Sequence, residues 1–274
     1  MAVITHDTKR SGCQPWAHSA TPISRKDPGR GAPTIVTWSI VAREPDTGAL
    51  AVAVATRGVA VGSRCPFVKS ATGAVCTQSV TNRYLGAMAV DGLSEGLTAA
   101  QALDRAIERD DGRDLRQLHI IDSSGRTAAW TGRHCVAFCG HRSAENFSVA
   151  GNMLTKEGTL ERIVEAFVEQ RALPLPERML AAMIAGEEAG GNWGGTRSAA
   201  LLLTTTEDFP DIDLRVDHHE APLQELQRLL DTWASTITSL RDWTPSKRNP
   251  AGQTDLAAWE ERWRSQGLNV RFQR

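Results

Sequence analysis

The sequence predicts an α+β fold, a four-layer αββα sandwich in which two antiparallel β-sheets lie between two layers of helices. Two observations lead to this prediction. Strand pairs, two helices, more strands, two further helices and final strands follow one another along the chain, which is the order of a layered α+β domain. The composition, with 41% hydrophobic and 23% charged residues, is that of an ordinary globular protein.

The first strand pair is predicted to be a β-hairpin. Residues 37–43 alternate polar and apolar side chains, and the turn Pro45-Asp46-Thr47-Gly48 combines a proline, which sets φ, with a glycine, which accepts a positive φ. Residues 50–55 are apolar throughout, so this strand is expected to be covered on both faces. Thr37 has two interpretations: a nucleophile presented at a new N-terminus, or a threonine that simply favours a strand.

The remaining elements follow from the spacing of apolar residues. Short apolar or alternating runs predict further strands at 74–79, 116–122, 126–131, 135–139, 147–150, 198–205 and 212–216. Apolar residues three and four apart predict helices at 84–93, 98–109, 159–170, 175–189 and 222–233. Thr98 is expected to cap the second helix. Residues 57–70, which contain glycine and proline, are predicted to be a connection without strand.

Both ends of the chain differ in composition from residues 37–233, which are predicted to form the domain. Residues 1–36 are rich in proline, serine, glycine and basic residues, which is typical of a disordered or pro-segment-like tail. Residues 234–274 carry Trp243, Trp259 and Trp263 among charges and are predicted to be a C-terminal tail. Residues 256–263 within that tail are expected to form a short docking helix.

Charge and residue spacing exclude several classes of protein. A formal net charge of −1 gives no electrostatic reason to bind nucleic acid or an anionic membrane. No apolar run approaches the roughly 20 residues that cross a bilayer, and no signal-peptide core is present, so a cytoplasmic protein is expected. The five cysteines and seven histidines are scattered without the spacing of a metal site. No metal and no organic cofactor are therefore predicted.

Short motifs in a fixed order resemble the domain-of-unknown-function 1028 family over residues 37–233. The matching segments are TWSIVAR at 37–43, AVA at 53–55, TQS at 77–79, RQL at 116–118, ID at 121–122, TG at 131–132, GH at 140–141, GNML at 151–154, AGG at 189–191, RSAALL at 197–202 and DLRVD at 213–217. That family is similar in fold to the N-terminal nucleophile (Ntn) hydrolases. The resemblance implies an amide hydrolase whose first mature residue attacks a carbonyl carbon.

The resemblance also implies catalytic roles. Thr37 corresponds to the nucleophile, and Ser39 lies two residues along on the same face, where it could support Thr37 by hydrogen bonding. Backbone N–H groups at Gln78 and Ser79 are the expected oxyanion donors, although Gln78 could equally be a satisfied polar strand end. Lys69 follows Thr37 at a separation similar to that of the catalytic lysine of proteasome subunits, but a solvated lysine is the alternative.

Four further residues are candidates for substrate binding. Gly151 and Asn152 end a strand that approaches the nucleophile in related folds, and a turn-forming pair is the alternative. Arg116 and Arg197 match charged family positions. Such arginines could clamp a substrate carboxylate or form buried ion pairs, and the sequence leaves both interpretations open.

One departure from the family pattern concerns the residues that precede Thr37. An Ntn nucleophile needs a free α-amine as its base, and an amide nitrogen cannot serve. Either the leader is removed, or the natural start lies downstream, or activity has been lost. The sequence thus supports an Ntn amidohydrolase for a small amide, short peptide or N-acyl compound, or alternatively a catalytically silent Ntn-fold binding or assembly protein. Apolar helices and the tryptophan-rich tail also predict a homo-oligomer, a dimer or higher.

Overall fold

The computed structural model describes residues 36–273, and these form two compact units, 36–230 and 231–273. The predicted N-terminal tail falls outside the described residues apart from Val36, which is fully buried. The first unit is a mixed α/β structure with two antiparallel sheets.

The larger sheet has six strands in the order β10-β9-β2-β1-β8-β7. Its strands are β1 (Thr37–Arg43), β2 (Leu50–Thr56), β7 (Gly140–Ala144), β8 (Phe147–Asn152), β9 (Ser198–Thr204) and β10 (Ile212–Val216). The predicted hairpin is confirmed, with β1 and β2 antiparallel and Thr37 opposite Thr56. Every residue of β2 is buried, as its continuous apolar run predicts.

The smaller sheet has four strands in the order β3-β4-β5-β6. They are β3 (Pro66–Lys69), β4 (Gly73–Ser79), β5 (Arg116–Asp122) and β6 (Thr127–Thr131). The predicted hairpin between β5 and β6 is confirmed, since Asp122 and Gly125 close its turn with a backbone hydrogen bond of 2.9 Å.

Six α-helices lie within the described residues. They are α1 (Arg83–Ser94), α2 (Ala99–Glu108), α3 (Thr159–Glu169), α4 (Leu175–Glu188), α5 (Pro222–Thr236) and α6 (Leu256–Ser265). Thr98 caps α2 as predicted, through a capping box in which its side chain accepts from the Gln101 N–H and the Gln101 side chain accepts from the Thr98 N–H.

Apolar contacts decide where each helix pair packs. Helices α1 and α2 cover the four-stranded sheet through a buried cluster that includes Leu85, Ala102 and Leu118. Helices α3 and α4 contact strands of the six-stranded sheet. A second cluster joins the two sheets, with Val41 and Val52 from the larger sheet against Ile121 from the smaller one. Burial of this kind stabilises a fold by about 25 cal/mol per Å² of apolar surface.

Two predictions of local structure were wrong. Residues 135–139 form no strand, and the strand is instead β7, whose register is set by the tight turn at Glu145 and Asn146 that pairs Ala144 with Phe147. Strand β3 lies inside the predicted connection 57–70. Pro66 is the reason that no strand was predicted here. The structure tolerates the proline because it is the first residue of an edge strand, which among residues 36–273 pairs with β4 alone.

The second unit is held by aromatic contacts. Helix α6 forms where a helix was predicted, and Asp255 caps it by accepting from the Ala257 N–H at 2.9 Å. Trp259 packs against Trp243 and Trp263 with ring centroids 4.9 Å and 5.8 Å apart. These tryptophans therefore pack against one another, and docking by α6 stays a prediction.

Within residues 36–273, none of the helices has the length and apolar character that crossing a membrane requires.

Gly186 offers a test of the packing between α3, α4 and β1. A Cβ added there would lie 2.6 Å from Ile163 Cγ1 and 3.2 Å from Trp38 Nε1. We expect Gly186→Ala to lower the free energy of unfolding by about 1–2 kcal/mol, because overpacking of about 1–3 kcal/mol outweighs a helix-propensity gain of up to about 1 kcal/mol. Urea denaturation followed by far-UV circular dichroism measures the difference.

Gly158→Ala is the matched control, since a Cβ there meets nothing within 4 Å and φ is −72°. It should change the free energy of unfolding by no more than about 0.5 kcal/mol. Equal stability of the Gly186→Ala variant and the wild type would show that α3 and α4 can separate freely at this crossing.

Candidate functional site

The site begins at the first residue of β1. Strand β1 lies between β2 and β8, so Thr37 is opposite Thr56 on one side and Asn152 on the other. Side chains alternate along a strand, and Ser39 and Val41 contact the four-stranded sheet while Trp38 contacts α4. The Thr37 side chain consequently lies on the face toward the four-stranded sheet, and it is only 4% exposed.

A pocket of about 190 Å³ lies beside Thr37. It is lined by Thr37, Arg64, Cys65, Ser79, Val80, Thr81 and Arg83. Ser79, the last residue of β4, has φ of +69°, a conformation that few non-glycine residues adopt. The backbone therefore leaves the strand direction where the pocket wall begins.

The peptide bond before Thr37 is held by side chains. The carbonyl oxygen of Val36 accepts hydrogen bonds from the Thr56 hydroxyl and from Asn192 Nδ2, the latter at 3.0 Å. The Thr37 hydroxyl donates to Thr56 Oγ1 at 3.2 Å. A chain of hydroxyl protons therefore runs from Thr37 through Thr56 to the oxygen of the preceding carbonyl.

This arrangement has groups of the kinds that acyl transfer requires. The hydroxyl-bearing Thr37 directly follows a carbonyl group whose oxygen two donors already contact, and donors in such positions can stabilise negative charge on the oxygen. Thr56 and Asn192 are 1% and 3% exposed, so water does not compete strongly with them.

Behind Thr37, a buried polar network fills the space between the sheets. The Ser39 hydroxyl is 2.6 Å from Gln78 Oε1 and 2.8 Å from His119 Nε2. Gln78 Nε2 donates to Gln117 Oε1 at 2.6 Å, and Gln117 Nε2 points at oxygen acceptors that include the carbonyl of Gly151. These contacts fix both amides, so Gln78 Oε1 must receive the Ser39 proton.

The tautomer of His119 follows from that assignment. Because the Ser39 proton goes to Gln78, His119 Nε2 must carry a hydrogen and donate it to Ser39 Oγ. His119 Nδ1 then accepts from the Ser148 hydroxyl at 3.3 Å. Although a serine and a histidine lie 2.8 Å apart, His119 does not act as a base for Ser39 in this arrangement.

Burial keeps the histidines of this region neutral. Loss of hydration is the main cause that lowers the pKa of His119 to about 3, and repulsion by His141 adds to it. Loss of hydration likewise lowers the pKa of His141 to about 4. The network is thus uncharged at neutral pH and supports the site by shape and hydrogen bonding.

The pocket itself is cationic. Arg64 and Arg83 line it together with Cys65, and no acidic side chain of the described residues does. Burial raises the pKa of the Cys65 thiol to about 11, although both arginines act in the opposite direction. The thiol is therefore protonated at neutral pH, and the positive charge comes from the guanidinium groups.

The structure brings most of the predicted site residues together. Thr37 and Ser79 line the pocket, and Ser39 and Gln78 belong to the buried network. Asn152 pairs with Thr37 across the strands, and its Nδ2 donates to Gln117 Oε1 at 3.1 Å while its Oδ1 is buried without a hydrogen bond inside the described part of the chain. Gly151 lies beside it, opposite Trp38 in the sheet.

Three predicted residues, Lys69, Arg197 and Arg116, belong neither to the pocket wall nor to the buried network. Lys69 is exposed and donates to Ser94 Oγ at 2.9 Å. Lys69 pairs with Gly73, the first residue of β4, whereas Ser79 is the last. At about 3.3 Å per residue, Gly73 and Ser79 are about 20 Å apart. Arg197 pairs with Glu220 at 3.3 Å, and its backbone N–H donates to the Thr56 carbonyl at 2.8 Å.

Arg116 is tied into an ion pair with Asp110 at 2.9 Å. Its Nη1 also donates to the carbonyl of Val80 at 2.8 Å. Val80 is part of the pocket wall, so Arg116 fixes that wall from outside.

Sequence reasoning missed several residues of the site. Thr56 carried a usable signal, because the predicted hairpin places it opposite Thr37. Asn192 follows the Gly190-Gly191 pair that ends α4, and its reach to Val36 depends on the tertiary fold. Arg64 and Arg83 come from separate parts of the chain, Gln117 and His119 both lie on β5, and no spacing in the sequence connects any of them to Thr37.

Comparison with known proteins gives a family match. The model of a family described as a family of unknown function (DUF1028) matches residues 37–226. The solved structure of protein SPO2555 from Silicibacter pomeroyi is 29% identical and has a TM-score of 0.74, with 80% of this chain and 100% of that chain covered. The two proteins therefore share a fold.

Other solved structures are more distant. Anbu (ancestral beta-subunit) from Yersinia bercovieri is 12% identical with a TM-score of 0.35, covering 76% of this chain and 98% of that chain. Anbu from Hyphomicrobium sp. strain MC1 is 12% identical with a TM-score of 0.38, covering 77% and 99%. Similarity at these scores is too low to assign a fold. No curated protein matches the chain.

The depressed pKa of His119 makes stability depend on pH. An unfolded histidine has a pKa of about 6.5, so the unfolded state binds more protons than the folded state between about pH 6.5 and 3, and stability falls as the pH falls. For His119 alone we expect a loss of about 2 kcal/mol between pH 7 and pH 5. Urea denaturation at the two pH values measures it.

His119→Gln should be less stable than wild type at pH 7, because the network loses a member. Between pH 7 and pH 5, however, it should lose about 2 kcal/mol less than wild type, since His141 remains in both. If the free energy of unfolding falls by the same amount between pH 7 and pH 5 in both proteins, His119 is not held neutral in the folded state.

Proposed function

The chain belongs to the DUF1028 family, and from its site we propose that it is an N-terminal-nucleophile amidohydrolase with Thr37 as nucleophile once the preceding residues are removed. Its substrate is a small amide, a short peptide or an N-acyl compound. One observation carries the proposal: the carbonyl oxygen of Val36 is held by Thr56 and Asn192 next to the Thr37 hydroxyl, at the wall of a pocket.

The proposal includes an Ntn-hydrolase-like αββα arrangement. Its support is the packing of α1 and α2 on the four-stranded sheet, the contacts of α3 and α4 with the six-stranded sheet, and the apolar cluster that joins the sheets. In such an arrangement the nucleophile begins a central strand, as Thr37 does.

The first step of the proposal is cleavage of the chain by its own hydroxyl. Thr37 Oγ attacks the carbonyl carbon of Val36, and its proton passes through Thr56 toward the carbonyl oxygen. Thr56 and Asn192 stabilise the tetrahedral oxygen. Collapse of the tetrahedral intermediate breaks the C–N bond between Val36 and Thr37. The proton that came from the Thr37 hydroxyl passes from the oxygen to the Thr37 nitrogen, and an ester then joins Val36 to Thr37 Oγ. Water then hydrolyses the ester to a Val36 carboxylate and a free Thr37 amine and hydroxyl.

The second step uses that amine on a substrate. An α-amine has a pKa near 8, so it can accept the Thr37 hydroxyl proton directly or through a water. Thr37 Oγ attacks the substrate carbonyl, the amine product leaves with the proton, and water releases the acyl group. Backbone N–H groups near Gln78 and Ser79 are the proposed donors to the oxyanion, and Ser79 lines the pocket beside Thr37.

Intact mass of the purified protein tests self-cleavage. We expect the wild type to give a species that begins at Thr37, Thr37→Ala to stay intact, and Thr37→Ser to cleave because it keeps a hydroxyl. Asn192→Ala should cleave on the order of a hundredfold more slowly, since one oxyanion donor is lost. Asn249→Ala, an exposed asparagine of the second unit, is the matched control and should cleave at the wild-type rate.

Cleavage of Thr37→Ala at the same bond would mean that another protease removes the leader, which contradicts the self-cleavage step. A chain built to start at Thr37 then tests the hydrolase directly on a panel of amides. Absence of hydrolysis by that chain would favour the alternative, a catalytically silent Ntn-fold binding or assembly protein. The observation behind that alternative is the buried peptide link that occupies the Thr37 nitrogen in the intact chain.

A further inference from the structure

The described residues that line the pocket beside Thr37 carry positive charge. Two of them are arginines, and none within residues 36–273 is aspartate or glutamate. In the described part of the chain, neither Arg64 nor Arg83 forms an ion pair, whereas Arg116 and Arg126 outside the pocket pair with Asp110 and Asp122. Two unpaired cations facing one cavity repel each other, so an anion that enters is favoured by both.

The Arg64 side chain uses only some of its N–H donors within the described residues. Its Nη2 donates to the Val59 carbonyl at 2.9 Å, which fixes the position of the side chain. Its Nε–H is buried and has no hydrogen-bond partner among residues 36–273. Arg64 therefore keeps at least one N–H that is not used by another part of the described chain.

Arg83 approaches the same space from another element. It is the first residue of α1, and its exposed side chain makes no hydrogen bond within the described residues. Arg64, Arg83 and Cys65 line the same pocket, and both guanidinium groups act to lower the pKa of the Cys65 thiol, which is consistent with their being close to it.

We propose that this pocket binds the carboxylate of an amide substrate through Arg64 and Arg83, so that the substrate class is N-acylated amino acids or short peptides with a free carboxylate. The proposal rests on the proposed function, because it takes Thr37 as the group that attacks the amide. A guanidinium matches a carboxylate with two parallel N–H···O bonds, and such charge-assisted bonds orient the ligand as well as attract it.

The size of the pocket and the reaction favour a carboxylate. A volume of about 190 Å³ suits one small acidic end of a substrate. Acylated amino acids and peptides carry a carboxylate within a few bonds of their amide. The scissile carbonyl can then lie at Thr37 while the carboxylate lies between the arginines.

Binding to a full-length Thr37→Ala chain tests the inference without requiring turnover. NMR titration compares N-acetyl-L-alanine with its neutral analogue N-acetyl-L-alaninamide at low salt, with inorganic phosphate as a third probe. We expect the acid to bind at least about tenfold more tightly than the amide. Arg83→Gln and Arg64→Gln should each weaken the acid about tenfold and leave the amide unchanged.

Controls separate a binding role from a folding role. Arg162→Gln makes the same charge change on the exposed face of α3 and should leave both affinities unchanged. Arg64→Lys keeps the charge and the stem, so it should retain part of the acid preference even if Arg64→Gln folds poorly. Far-UV circular dichroism verifies the fold of each variant.

Three outcomes would overturn the inference: equal binding of acid and amide, no binding of the acid at about 10 mM, or tighter binding of phosphate than of the acid. Acid preference together with absence of amide hydrolysis by the Thr37-start chain would support carboxylate binding by Arg64 and Arg83, but it would count against the amidohydrolase and against an amide as the substrate.

Discussion

The two-residue period of β1 is the constraint on which the rest of the structure depends. Thr37, Ser39 and Val41 point toward the four-stranded sheet, and Trp38 points toward α4. A shift of one residue in the pairing with β2 would move Trp38 to the pocket face and Thr37 to the helix face. Pairing on both edges, with β2 and with β8, prevents that shift, because each partner fixes the same register.

The buried network beneath Thr37 adds a chemical constraint to the geometric one. Burying Ser39, Gln78, Gln117 and His119 between two sheets is tolerable only because each finds a hydrogen-bond partner. Because the Gln78 and Gln117 amides are oriented by their contacts, the Ser39 proton has one acceptor, Gln78 Oε1. Hydrogen bonds as well as apolar contacts therefore fix the position of β1 relative to β4 and β5. Hydrogen bonds allow a narrower range of distances between the strands than apolar contacts do.

Much of the fold could be predicted from the sequence, and less of the site. Periodicity located β1, β2 and the helices because each of them buries one continuous set of apolar residues. It failed at β7, whose side chains are half-buried and polar, and at β3, where Pro66 concealed an edge strand. The hairpin made Thr37 one of two alternatives, a nucleophile or a strand residue, and the family resemblance favoured the first and added Ser79. Arg64, Arg83 and Asn192 could not be predicted, because their places depend on how separate elements pack.

Cys65 gives the pocket a chemical selectivity. A thiol beside a threonine would ordinarily be the first group to react with an electrophile, since thiolates are far stronger nucleophiles than alcohols. With a pKa of about 11, however, only about one Cys65 thiol in ten thousand is ionised at pH 7. An electrophile that binds in this pocket would therefore lie beside a cysteine of low reactivity, and burial is the main cause of that low reactivity.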